Sequence, residues 1–375
     1  MLLDKDKLLK TFIELVKIDS ESKNEIQVAE YIKKRLKKLN IPFVIDNSKN
    51  KTGSNHGNII AKLNNNRSLP TILLSSHMDT VVPGKNIKPI VRNKTVVSSG
   101  DTILGADDKS GLAIILETLE TLKTNKINHY NIEAAITTCE EIGLLGAKHL
   151  DYKLLKAKEG IVLDSTSPER LVFKGPASDY FSIKINGVES HSGINPELGI
   201  SSIVASAEII TKMKTGRINK GTTINIGKIH GGSAINIVPG ETIISCEIRS
   251  HSESTIEKEI NKIKKIVKNV EEKYKKLNNK VKIKFTKERI YDSINIPKKA
   301  FIIRKILKVC KASNYLINLV ETGGGADANF FVKNGIETIN LGTGMRDFHT
   351  KKETLILKEF YQSADIVLKT LIHEP

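Results

Sequence analysis

The sequence predicts an α/β protein interrupted by a smaller α+β module, and two patterns carry that reading. In the first and last parts of the chain, short apolar runs such as Thr71–Ser76 and Asn131–Thr137 alternate with helical stretches, as in a sheet covered on both faces. In the middle the rhythm changes. Ser182–Asn186, Thr222–Ile229 and Ile243–Ile248 alternate apolar and polar residues, as antiparallel strands solvated on one face do. The expected division is a discontinuous first domain, 1–177 and 287–375, and an inserted domain, 178–286.

Element by element, Asp4–Lys17 and Asn24–Leu39 have the apolar spacing of amphipathic helices. Phe43–Ile45 and Asn58–Leu63 read as strands around a polar loop, Asp46–Gly57. Thr71–Ser76 is a buried strand that delivers His77, Asp79 and Thr80 into the next loop. Ile90–Ser98 suggests a hairpin, and the Gly/Asp-rich loop Gly100–Gly111 opens a helix, Gly111–Leu122. Asn131–Thr137 and Gly160–Leu163 are further strands, each followed closely by acids. In the inserted module two helices, Ile200–Lys214 and Ser254–Leu277, interleave with the strands, and the module ends near Val281–Phe285. The stripe Ile256, Ile260, Ile263, Val267, Val270, Tyr274 and Leu277 predicts the buried face of the longer helix. After Pro297 come helix Phe301–Ala312, loop Gly323–Asp327, helix Ala328–Lys333, strand Thr338–Leu341 and helix Leu357–Ile372.

A chain of 375 residues that is 39% hydrophobic has ample core for two domains. It contains no apolar run of membrane-spanning length. MLLDKDKLLK at the N-terminus carries no apolar segment or cleavage pattern of a secretory signal. The cysteines, Cys139, Cys246 and Cys310, are odd in number and far apart, so no disulfide framework follows and a cytoplasmic location is expected. Cys139 reads as a small buried strand residue. The net charge of +17 raises nucleic-acid binding as a remote alternative. The lysines are scattered over solvent faces, however, and aromatic residues are 5% with no Trp, so no nucleic-acid partner and no membrane partner are expected.

The chemistry gathers at strand ends. Glu140 and Glu141 stand side by side in TTCEEIGLLG, at a strand-to-helix turn. Taken alone they fit a helix N-terminus, where acids are favoured. They gain meaning from polar residues after the other strands: His77, Asp79, Asp107, Asp108, Asp164 and His349. The carboxyl ends of strands in an open α/β sheet converge on one crevice. Two imidazoles and three carboxylates there would suit a pair of zinc ions about 3.5–4 Å apart. One of two adjacent glutamates could hold a cation while the other faces a water as general base.

These runs resemble a known family. HMDTV (His77–Val81), GADDKSG, TTCEEIGLLGA, LDSTSPER and RDFHT, in that order, are similar to the motifs of the M20 metallopeptidases. GGGADAN (Gly323–Asn329) and HSGINPELGISSI (His191–Ile203) resemble the peptidase T-like branch. The resemblance implies a zinc-exopeptidase-like catalytic domain with a central mixed sheet, and an inserted lid or dimerisation domain. It implies two zinc ions per subunit, with cobalt or manganese able to substitute. Asp107 would bridge them, with His77 and Asp164 completing one site and Glu141 and His349 the other. Glu140 would be the general base, and Asp79 would fix the geometry near His77. The bond Asp107–Asp108 would be cis. The resemblance makes His191, otherwise a surface histidine, a substrate or oxyanion contact. From their own chemistry, Asn236 could hydrogen-bond substrate or simply turn the chain, Arg249 could clamp a carboxylate or form a surface ion pair, and Gly324 and Gly325 could let the backbone approach substrate or serve only a helix start. Ser192 after His191 departs from relatives that carry Pro or Ala. A homodimer through the lid rests on the resemblance alone.

The function expected is hydrolysis of the N-terminal peptide bond of short peptides, tripeptides foremost. The alternative is an M20 deacylase or carboxypeptidase acting on N-acyl amino acids or dipeptides, which would use the same metal ligands. In the family that the chain resembles, an Asp rather than a Glu at position 164 goes with aminopeptidase-type members, which favours the peptidase.

Overall fold

The computed structural model describes residues 3–65 and 68–373. Met1, Leu2, Asn66, Arg67, Glu374 and Pro375 fall within the expected domain spans and the N-terminal reading, and they lie outside the described residues. The chain forms two compact units. The first is Met1–Lys174 with Asn295–Glu321 and Ala326–Pro375; the second is Gly175–Ile294 with Thr322–Gly325. The second unit runs past residue 286 because strand Lys282–Tyr291 pairs along its length with Ala177–Asn186, so a division at 286 would cut a hydrogen-bonded strand.

The first unit is built on a nine-stranded mixed sheet among the described residues. Its centre is parallel: Asn131–Thr137, Thr71–His77, Glu159–Val162 and Glu337–Leu341 lie side by side in that order. Ile59–Leu63 extends one side antiparallel, and Arg170–Gly175 the other. Thr71–His77 and Asn131–Thr137 are buried along nearly their whole length, as their continuous apolar runs require. Helix Ala106–Thr124 packs on Thr71–His77, and helices Lys5–Val16 and Leu357–Leu371 pack on that helix. Asp4 caps the first of these, its carboxylate accepting the N–H groups of Asp6 and Lys7. A four-stranded antiparallel sheet, in the order Met345–Arg346, Thr354–Ile356, Thr95–Ser98, Pro89–Arg92, packs against helices Ala106–Thr124 and Leu357–Leu371. The predicted hairpin 90–98 supplies two of its strands.

The second unit is a five-stranded antiparallel sheet in the order Gly216–Asn219, Thr222–Gly231, Glu241–Ser250, Ala177–Asn186, Lys282–Tyr291. Helix Glu253–Lys275 buries Ile256, Ile260, Ile263, Val267, Val270 and Tyr274, and helix Ser202–Lys212 buries Ala205 and Ile209, in one core with Ile183, Ile185, Ile244 and Ile248. The expected last member of that stripe, Leu277, is 68% exposed. The helix ends at Lys275, so residue 277 no longer follows the helical period.

Candidate metal centre

Each expected ligand in the first unit is brought to the carboxyl edge by the element before it. His77 ends strand Thr71–His77. Its Nδ1 lies 2.9 Å from the Asp79 carbonyl oxygen, and its Nε2 lies 3.1 Å from Oδ1 of Asp107. With Nδ1 donating to that carbonyl, Nε2 is the nitrogen turned toward Asp107, and it can exchange its proton for a cation. Asp107 opens helix Ala106–Thr124 but departs from helical geometry, as does Asp108, and the bond between them is cis, as expected. Gly111 is required here. A Cβ would fall 2.4 Å from the Leu163 carbonyl oxygen and 2.6 Å from Oδ1 of Asp108, so only glycine lets the helix start lie this close to the strand that leads to Asp164.

The second oxygen of Asp107 faces the other imidazole. Nε2 of His349 is 3.1 Å from Oδ2 of Asp107 and 2.9 Å from Oε2 of Glu141. One carboxylate thus presents one oxygen to each histidine. Donor atoms of His77, Asp107 and Glu141 lie within 4.8 Å of one another. Asp164 follows strand Glu159–Val162, and Asn340 holds its main chain both ways: the Asp164 N–H donates to Oδ1 of Asn340 at 3.1 Å, and Nδ2 of Asn340 donates back to the Asp164 carbonyl at 2.6 Å.

Asp79 is fully buried, and its principal partners lie on the glutamate loop. Oδ1 accepts the Glu140 N–H at 2.9 Å; Oδ2 accepts the Glu141 N–H at 3.2 Å and the Ser22 hydroxyl at 2.7 Å. The His77 ring is farther, with Nδ1 at 3.5 Å from Oδ1. Sequence reasoning placed Asp79 beside His77; the structure adds that it holds both adjacent glutamates. Glu25, which the sequence did not single out, extends this support by accepting the Cys139 N–H at 3.1 Å and the Ser54 hydroxyl at 2.6 Å. Cys139 is buried, but it sits past the strand in a left-handed turn (φ 53°) rather than within it, and burial pushes its thiol pKa up.

The electrostatics of this cluster are those of a place for cations. Burial pushes the carboxyls of Asp164, Glu140 and Glu141 above their usual range, and the Asp107 charge adds to the shift at Asp164 and Glu141. Burial opposes the charge on His77, yet hydrogen bonds to Asp107 and Asp79 outweigh it and hold the ring protonated above its ordinary range. Hydrogen bonds to Asp107 and Glu141 push His349 up to about 10. Among the described residues, Oδ2 of Asp108 and Oδ1 of Asp327 are buried without a hydrogen-bond partner. Acids crowded around imidazoles that must borrow protons would be relieved by divalent ions. An ion with bonds of roughly 2.0–2.2 Å can span a 3.1 Å nitrogen–oxygen gap. Imidazole with carboxylate is a zinc-type donor set, so these residues fit the implied metal.

The expected substrate residues lie in the second unit. His191 and Asn236 are both exposed and stand on adjoining strands of turn: His191 bridges to Ile237, and the Ser192 N–H donates to the Asn236 carbonyl at 3.0 Å. Arg249 is paired with Glu247 at 2.8 Å. A Cβ on Gly324 would make only an ordinary contact, 3.8 Å from the Thr322 hydroxyl, whereas one on Gly325 would fall 2.4 Å from the Tyr291 ring, which gives Gly325 a packing reason of its own.

Residues 177–275 match the M20 peptidase dimerisation domain, and residues 58–182 match peptidase family M28. YqjE of Bacillus subtilis, an uncharacterized protein, is 36% identical over 368 residues, covering 98% of both chains. The crystal structure of aminopeptidase PepT from Bacillus cereus is 34% identical, covers 99% of both chains and superposes with a TM-score of 0.90. The chain is an M20 peptidase of the peptidase T-like group. A tripeptidase structure from Staphylococcus aureus is 35% identical to this M20 peptidase, covers 99% of it and 98% of its own chain, and superposes with a TM-score of 0.93. Membership makes the protein a hydrolase of the metallopeptidase class. Among the described residues of this peptidase, no helix is long and apolar enough to cross a membrane.

Proposed function

We propose that the chain is a dinuclear zinc aminopeptidase that removes the N-terminal residue of short peptides, tripeptides foremost, in the cytoplasm. The observation that carries this is Asp107, whose two oxygens each face a different imidazole at 3.1 Å. His77, Asp107 and Asp164 would hold one ion; Asp107, Glu141 and His349 would hold the other. When bound, the pair supplies Lewis acidity and lowers the pKa of a coordinated water toward about 7.

Glu140 is then the proton carrier. It is 8% exposed, and burial raises its proton affinity, which suits a group that must take a proton from water and deliver it to the leaving amine. Asp79 keeps Glu140 and Glu141 in register through their consecutive N–H groups, so one turns to metal while the other serves the reaction. His191, Asn236, Arg249 and Gly324 are assigned to substrate contact, and the second unit to lid and homodimer formation. The names of the aminopeptidase and the tripeptidase that the chain resembles support the substrate class.

Hydrolysis of free tripeptides and of their N-acetylated forms by zinc-loaded protein tests the assignment. Free tripeptides should be cleaved at the first bond. Preference for the blocked peptide, or release of the C-terminal residue first, would overturn it in favour of a deacylase or carboxypeptidase.

A further inference from the structure

Glu353 lies four residues beyond His349, in no motif that carries the family resemblance. Its side chain is buried, and its carboxylate accepts three main-chain N–H groups from the loop that leads to Asp107. Oε2 takes those of Leu104 and Gly105, both at 2.7 Å, and Oε1 takes that of Asp107 at 3.0 Å. The turn that follows His349 directly is closed by the Glu353 N–H donating to the Thr350 carbonyl at 3.1 Å. Strand Thr354–Ile356 follows at once and pairs with both Met345–Arg346 and Thr95–Ser98. One short hairpin therefore presents His349 at its tip and grips the Asp107 loop at its base.

We propose that Glu353 is the positioning residue of the second ion site, setting the gap between Oδ2 of Asp107 and Nε2 of His349. This rests on the two-ion reading above. The two sites are held differently. His77 and Asp164 stand at ends of central parallel strands, and Asn340 pins the Asp164 main chain. His349 sits in a turn with a left-handed backbone (φ 62°) and is half exposed, so its spacing from Asp107 depends on whatever joins the two loops. Glu353 makes that join with a carboxylate whose oxygens divide the work. Replacing it by glutamine preserves an oxygen for Leu104 and Gly105 and turns an NH2 group against the Asp107 N–H, cutting the link to the bridging residue selectively.

The test is calorimetric titration of metal-stripped, full-length protein with Zn2+, repeated with Co2+ so that the visible spectrum reports filling of each site. Wild type should take two ions in two steps. E353Q should weaken the weaker step by about 10–100-fold, the range for residues that orient metal ligands, and leave the tighter step within about threefold. E353D, which keeps the charge but shortens the reach, should show the same split and serves if E353Q does not fold. Two steps of wild-type affinity, or equal weakening of both, would overturn the proposal. Wild type binding a single ion would instead overturn the two-ion reading before any variant is measured.

Discussion

Replacing Asp79 by Asn removes one charge and exchanges one acceptor for a donor at a side chain that is fully buried. The amide has two orientations, and each leaves a defect. With its nitrogen at Oδ1, the Glu140 N–H, now 2.9 Å from an acceptor, faces a donor. With its nitrogen at Oδ2, the Ser22 hydroxyl can rotate to accept, but the Glu141 N–H is left without its partner. Either way one buried or part-buried main-chain N–H is orphaned, which costs about 1–3 kcal/mol. For a unit of this size, each kcal/mol lowers the melting temperature by roughly 2–4 °C, so D79N should melt about 2–12 °C below wild type. Turnover should fall about 10–100-fold, because the same defect displaces the two glutamates. Scanning calorimetry and tripeptide hydrolysis on the metal-loaded protein provide the readouts. Wild-type melting together with wild-type turnover would refute the role drawn for Asp79.

E140Q keeps the shape of the side chain but cannot take a proton. It should bind metal as wild type does and lose about 100- to 10,000-fold in turnover; metal content by atomic absorption and rates on one tripeptide check both halves. The metal-free protein should also lose stability as pH rises from 6 to 8. His77 and His349 have folded pKa values above their unfolded ones, the latter at about 10, so their contribution is complete below roughly pH 6.5 and fades as pH climbs toward the folded values. Glu140 and Asp164 are raised as well and act in the same direction. The lowered values of Asp79 and Asp107 matter only in acid, below this window. Saturating zinc should reverse the slope, since binding releases those protons. A metal-free melting temperature that is flat or rising over that range would contradict the charge assignment.

The sequence determined the features that local pattern can encode. Runs apolar on both faces marked the parallel centre of the first unit, and alternation marked the antiparallel sheet of the second. His77 and Glu141 could be named because each follows such a run within a few residues, whereas Asp107 lies in a Gly/Asp-rich loop and was marked by the GADDKSG resemblance. Local pattern missed strands Met345–Arg346 and Thr354–Ile356, which are too short to display a period, and strand Arg170–Gly175, whose run RLVFKG neither alternates nor stays apolar throughout. It also placed Leu277 in a core that the helix no longer reaches.

Tertiary structure alone decided how the ligands are held. Glu353 grips Leu104 and Gly105 from about 250 positions away, Glu25 supports Cys139, and Asn340 fixes Asp164. Burial periodicity repeats every few residues and is therefore written along the chain. A carboxylate that accepts a distant N–H leaves no periodic trace, because its partner is chosen by the folded path of the backbone and not by neighbouring residues.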